Sequence, residues 1–229
     1  MMKKTLKKLP MKLPTIIVNF KNYESSTGQQ ALLLAKIHEK VAKEENVSIA
    51  IAVNAIDLAE ICKSVDIPVF AQHMDAVSYG GCTGKILPEL VKEVGAYGTL
   101  LNHAECPIED VAIEKSIARA RELGLFTVVC ANDVARAESI MKFNPDLVAI
   151  EPPELIGGDV SVSTANPSII ENSAKRLGEN RVLVGAGIKN FEDVKIALSL
   201  GACGVLLASG ITKAKDPEAA LRELARALK

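Results

Sequence analysis

Short apolar runs and longer amphipathic stretches take turns along the whole chain. Runs at 15–20, 48–53, 69–72, 98–101, 126–130, 147–150, 181–184 and 204–207 are bounded by Gly, Pro or Asn and read as strands. Most are apolar at every position, the pattern of strands buried on both faces and so of a parallel sheet covered by helices. Between them, 29–44, 108–123 and 192–200 carry apolar residues at helical spacing with charges on the opposite side. Asn166-Pro167 and Asp216-Pro217-Glu218 each offer a cap followed by proline at the first helical position. Gly95, Gly124 and Gly201 each close a helical stretch just before a strand.

About eight strand–helix units, with no linker, composition shift or low-complexity tract, predict a single α/β domain spanning 15–229. Eight parallel strands suit a closed (β/α)8 barrel, which leaves no sheet edge and uses about 250 residues. An open doubly wound sheet competes. No G-x-G-x-x-G follows the first strand, where a dinucleotide-binding sheet would place it.

Composition agrees with a folded globule: 229 residues, 48% hydrophobic and 24% charged. A net charge of −1 supplies no overall field for nucleic acid or an anionic membrane. The expectation is no nucleic-acid partner, no membrane span and a cytoplasmic location. Cys62, Cys82, Cys106, Cys130 and Cys203 are odd in number and scattered, with no C-x-x-C pair, so they read as free thiols rather than disulfides or zinc ligands. Lys3, Lys4, Lys7, Lys8 and Lys12 make residues 1–14 a basic leader, read as solvated and frayed, with a polyanion-binding arm as the functional alternative. Met11 offers a second translation start.

In such a barrel the reacting groups project from the C-terminal strand ends. That rule selects Asn19 and Lys21 after the first strand, Asn102, His103 and Glu105 after the fourth, and Glu151 at the end of the sixth. It also selects Gly185-Ala186-Gly187 and Ala208-Ser209-Gly210 after the seventh and eighth, small residues whose backbone N–H groups can approach a phosphate. Glu151 emerges from an apolar strand, which raises a carboxyl pKa and improves it as a base. Pro152-Pro153 and Gly157-Gly158 then stiffen and free the two ends of a lid-like loop. One ammonium, one imidazole, one carboxylate and two amide-rich loops fit proton abstraction beside the carbonyl of a small phosphorylated substrate.

These residues resemble the triosephosphate isomerase family in its short archaeal form, over nearly the whole chain. The resemblance is carried by Asn19-Phe20-Lys21, Ala71-Gln72-His73, Thr83-Gly84-Lys85, Leu101-Asn102-His103-Ala104-Glu105, Gly185-Ala186-Gly187-Ile188 and 204–210. Glu151-Pro152-Pro153-Glu154-Leu155-Ile156-Gly157 is its most specific stretch. The resemblance implies a TIM barrel without cofactor or metal that interconverts dihydroxyacetone phosphate and D-glyceraldehyde 3-phosphate in glycolysis and gluconeogenesis. By the family's pattern, Glu151 moves the proton and a neutral His103 at a helix N-terminus polarises the carbonyl. Lys21, assisted by Asn19 and paired with Glu105, holds the enediolate charge. Asn19, Phe20, Lys21, Ile156, Gly157, Gly187, Ala208 and Ser209 bind substrate. Thr83 enters a neighbouring subunit's site, implying a homodimer or homotetramer.

Three features depart from the family. Ala104 replaces the usual serine after the histidine, Cys106-Pro107 replaces a more basic pair, and Gly158-Asp159 stands where Thr-Gly is usual. Slower lid closure or weaker substrate binding follows from them. Two other readings compete: an aldolase or lyase sharing only the phosphate loops, which would want a lysine within a middle or late strand, and a silent phosphosugar-binding barrel lacking one of Glu151, His103 or Lys21.

Overall fold

The computed structural model describes residues 10–155 and 161–229. Eight parallel strands close in chain order into one barrel. They are β1 (Thr15–Asn19), β2 (Ser48–Val53), β3 (Val69–Ala71), β4 (Gly98–Leu101), β5 (Phe126–Ala131), β6 (Leu147–Ile150), β7 (Val182–Val184) and β8 (Gly204–Leu207). Closure is completed by the parallel pairing of β1 with β8, Thr15 opposite Gly204.

Around the strands run α1 (Gly28–Glu45), α2 (Ala55–Ser64), α3 (Pro88–Glu93), α4 (Asp110–Leu123), α5 (Val134–Met141), α6 (Val162–Ala165), α7 (Pro167–Leu177), α8 (Phe191–Ser199), α9 (Ser209–Thr212) and α10 (Pro217–Arg226). Their starts follow from local chemistry. Asn54, Asp133 and Asp216 each accept from backbone N–H groups in the first turn, and Asn190 forms a capping box with Asp193. Asn166 departs from expectation. It precedes Pro167 as the N-cap residue of α7, but its side chain makes no cap bond and instead accepts from the Ser168 hydroxyl at 2.6 Å. Gly95, Gly124 and Gly201 all take positive φ where helices give way to strands.

Strand periodicity divides the core in two. Residues of one parity, among them Ile17, Ala50, Ala52, Phe70, Leu100, Val128, Ala149, Leu183 and Leu206, fill the barrel interior. Residues of the other parity, such as Ile16, Val18, Ile49, Val129 and Val148, pack under the helices. That double burial explains why the strands lack polar alternation. Ahead of β1, Met11 packs against the inner cluster and the Lys12 N–H donates to Ser48 Oγ. Residues 1–9, which hold the other leader lysines, lie outside the described residues.

Candidate active site

Inward parity, continued two residues past the last inward position of a strand, decides what faces the barrel mouth. Ile17 leads to Asn19, Phe70 to Gln72, Leu100 to Asn102, Ala149 to Glu151, Leu183 to Gly185 and Leu206 to Ala208. A narrow cavity there is lined by Asn19, Lys21, His103, Glu151, Gly187, Ala208 and Ser209, among others. Residues more than a hundred positions apart thus share one pocket.

Glu151 is 7% exposed, and its Oε2 is buried without a hydrogen-bond partner. Burial pushes its carboxyl above the ordinary range, with His103, the Cys130 thiol and Lys21 opposing in part. His103 Nε2 lies 3.8 Å from that oxygen. The Glu105 backbone N–H donates to His103 Nδ1 at 3.1 Å, so Nδ1 is an acceptor and Nε2 is the ring position that carries the proton. The expected helix N-terminus at His103 is corrected here. Pro107 keeps Cys106 out of helical geometry, and α4 starts only at Asp110. One backbone amide, rather than a helix end, orients the imidazole.

Lys21 has positive φ, 51°, an uncommon state for a side-chain-bearing residue and costly unless its surroundings fix it. Its N–H donates to Asn19 Oδ1 at 3.0 Å, and its Nζ bonds Glu105 Oε1 at 2.7 Å. Gln72 completes the brace, donating to Asn19 Oδ1 at 3.2 Å and to the Lys21 carbonyl at 3.0 Å. Sequence reasoning missed Gln72 as a site residue, although the parity of β3 points to it.

Phe20 is not brought to the mouth. Its side chain is fully buried, with the ring 5.2 Å from that of His38. Its N–H donates to Ala52 O and its carbonyl accepts from Ser26 Oγ, so its backbone is committed as well. Thr83 sits exposed between β3 and α3 and does not line the cavity that holds Glu151, His103 and Lys21. Ile156 and Gly157, with Gly158 and Asp159, lie outside the described residues. Ala104, Cys130 and Glu151 help line a second cavity of about 400 Å³.

In the seventh loop, Ala186 and Gly187 both take positive φ, 71° and 73°. Gly185 serves differently from expectation. A Cβ on it would fall 2.4 Å from Glu151 Cγ and 2.7 Å from Oε1, so its bare backbone makes room for the carboxylate. After β8, Ala208 precedes α9, whose first N–H groups at Ser209 and Gly210 lack intrahelical partners and lie beside the pocket. Among the described residues, no group of three His, Cys, Asp or Glu side chains could hold a metal ion.

A closed barrel whose mouth combines a buried carboxylate, an oriented imidazole, an ammonium group and amide-lined loops has the groups that moving a proton beside a carbonyl requires, which is the chemistry of an isomerase. Comparison with known proteins narrows this class. The triosephosphate isomerase family model matches residues 14–227. Proteins named triosephosphate isomerase are similar over most of both chains: 49% identity in Methanobacterium bryantii, covering 92% of this chain and 95% of the relative. The one from Archaeoglobus fulgidus is 48% identical over 93% and 97%, and that from Methanocaldococcus jannaschii 46% over 91% and 97%. This chain belongs to the triosephosphate isomerase family.

Proposed function

We propose that the mouth interconverts dihydroxyacetone phosphate and D-glyceraldehyde 3-phosphate by carrying one proton between the two carbons on Glu151. The observation that carries this reading is the buried, partnerless Glu151 Oε2 facing His103 Nε2 across 3.8 Å. A carboxylate so placed keeps a free lone pair for a C–H proton, and its raised pKa brings proton affinity closer to what the carbon requires.

The C–H bond breaks toward Glu151, and its electron pair moves onto the carbonyl oxygen to give an enediolate. His103 donates the Nε2 proton to that oxygen and recovers one from the neighbouring hydroxyl. Lys21 balances the negative charge, with Asn19 and Gln72 fixing its backbone and Glu105 its ammonium group. Backbone amides of Gly187, Ala208 and Ser209 hold the phosphate. The loop containing Ile156 and Gly157 closes over the intermediate and keeps water out. A Schiff-base aldolase finds no support, because none of the eight strands carries a lysine.

Two further assignments go with this reading. The exposed loop bearing Thr83 supports a homo-oligomer in which that residue enters the neighbouring mouth. A cytoplasmic location fits five scattered cysteines with no C-x-x-C pair; among the described residues, no helix is long and apolar enough to cross a membrane. The test is an isomerisation assay on purified protein, coupling product to a dehydrogenase. Turnover of glyceraldehyde 3-phosphate that collapses in Glu151→Gln supports the reading; a variant with near-native rate removes Glu151 as the base.

A further inference from the structure

A large cavity lies at the end of the barrel opposite the candidate active site. It is about 780 Å³, within the range of small-molecule sites, and opens where β4 to β7 begin. Lys92, Arg121 and Arg181 stand around it, with Asp146 the one carboxylate among its lining residues.

None of the three cations bonds a carboxylate among the described residues. Lys92 Nζ donates to Gly124 O at 3.0 Å, and Arg121 Nη2 donates to Phe143 O and Asn144 O at 3.3 and 2.9 Å. Arg181 Nη2 donates to Pro145 O at 2.7 Å and Asn144 Oδ1 at 3.3 Å. Both guanidinium groups are therefore anchored through Nη2 on the same three residues, Phe143 to Pro145. Arg181 Nε is buried with no partner at all, an unspent charged donor. Asp146 accepts from the Thr127 N–H and hydroxyl, both at 2.8 Å, which commits it to the backbone of β5. Elsewhere Lys36, Lys40, Lys43, Lys85, Arg119, Arg136 and Arg222 are all neutralised by carboxylates. In a chain of net charge −1, this cleft is a local concentration of positive charge.

Tyr97 and Phe126 add apolar wall, their ring centroids 5.7 Å apart. We propose that this cleft is a second anion site, which takes an organic di- or triphosphate: phosphates on Lys92, Arg121 and Arg181, and the carbon skeleton or base against Tyr97 and Phe126. Standing at the far end from Glu151, it acts on the protein by stabilising the folded chain.

The test is calorimetric titration of metal-free ATP into the wild-type protein, with glycerol 3-phosphate saturating the catalytic mouth and adenosine as the uncharged control. One ATP per chain is expected, with affinity that falls as salt rises and drops by about tenfold or more in Arg121→Gln/Arg181→Gln. Lys92→Ala, at an exposed position, should weaken binding without altering the melting curve of the free protein. Absence of heat at about 5 mM ATP, equal binding of adenosine, unchanged affinity in both variants, or displacement of ATP by glycerol 3-phosphate would each overturn the proposal.

Discussion

Glu151 and Glu89 are both almost fully buried glutamates, and each has an Oε2 without a hydrogen-bond partner. Their proton affinities nonetheless move in opposite directions. At Glu89, in the first turn of α3, burial pushes the carboxyl up, but the Arg119 guanidinium grips Oε1 through both Nε and Nη2 and the net shift is downward. At Glu151 no cation touches the carboxylate, and burial wins. Burial alone therefore does not make a base. In the proposed mechanism a base results when the fold withholds the ion pair, and Lys21, which bonds Glu105 instead, stays available to the substrate.

Replacing each glutamate by glutamine separates the two roles. Glu151→Gln should lower kcat by about 10³-fold, in the range for loss of a general base, with little change in melting temperature. The corresponding change at Glu89 belongs near the other end of the scale. His38 applies the same physics with the opposite sign. It is fully buried, its Nδ1–H donates to Leu34 O, and desolvation lowers its pKa to about 4. Between pH 6.5 and 4 the unfolded chain binds a proton that the folded chain refuses, so stability rises with pH across this window and is lost as pH falls through it. The loss reaches about 3 kcal/mol at the acid end. Denaturant titrations from pH 7 to 4 should show a flatter decline in His38→Leu; a parallel decline would mean that His38 is not the acid-sensitive group.

Much of this was legible in the chain because parallel strands buried on both faces advertise themselves as unbroken apolar runs. Four of the eight, β2, β4, β6 and β8, have the same bounds in the sequence reading and in the structure. Glu151, His103 and Lys21 were legible as candidates for a related reason, since each lies within two residues of the end of such a run. Contacts that depend on three dimensions were not. Phe20 follows β1 even more closely than Lys21 does, but its parity sends it beneath α1. The absence of a helix at His103 depends on where Pro107 delays α4. Gln72 escaped notice because its partners, Asn19 and Lys21, are more than fifty residues away. Gly185 reads as a ligand loop in one dimension and as space for a side chain in three.

Gly185→Ala asks whether the free carboxylate depends on that space. The added methyl must push Glu151 aside, and misplacement of a reacting group by about 1 Å costs on the order of 10²-fold in rate. Steady-state kinetics should show kcat falling far more than KM rises; an unchanged kcat would mean that the carboxylate tolerates relocation. Glu89→Gln, in contrast, should leave kcat intact and cost about 2 kcal/mol, read from denaturant unfolding. Arg119 is one-third exposed and retains Glu122 at 2.5 Å, which holds the cost below that of a fully buried pair. A large loss of turnover without loss of stability would contradict the division between the two glutamates.

The smallest effect concerns Cys130, whose thiol neighbours the Glu151 carboxyl and holds down part of the rise in its pKa. Cys130 is itself buried and its own pKa is raised, by burial first and then by the neighbouring carboxylate, so it stays a neutral donor. Because the base must be ionised, activity falls as pH drops through the Glu151 pKa, and the acid limb of kcat/KM should lie above the ordinary carboxylate range. Cys130→Ala removes the donor and should move that limb to higher pH; Cys130→Ser keeps a donor of similar size and should leave it near the native position. A purely packing role would shift the melting temperature in both variants without moving the limb. The pH profile thus tells whether the thiol sets the poise of the base or merely fills the barrel beneath it.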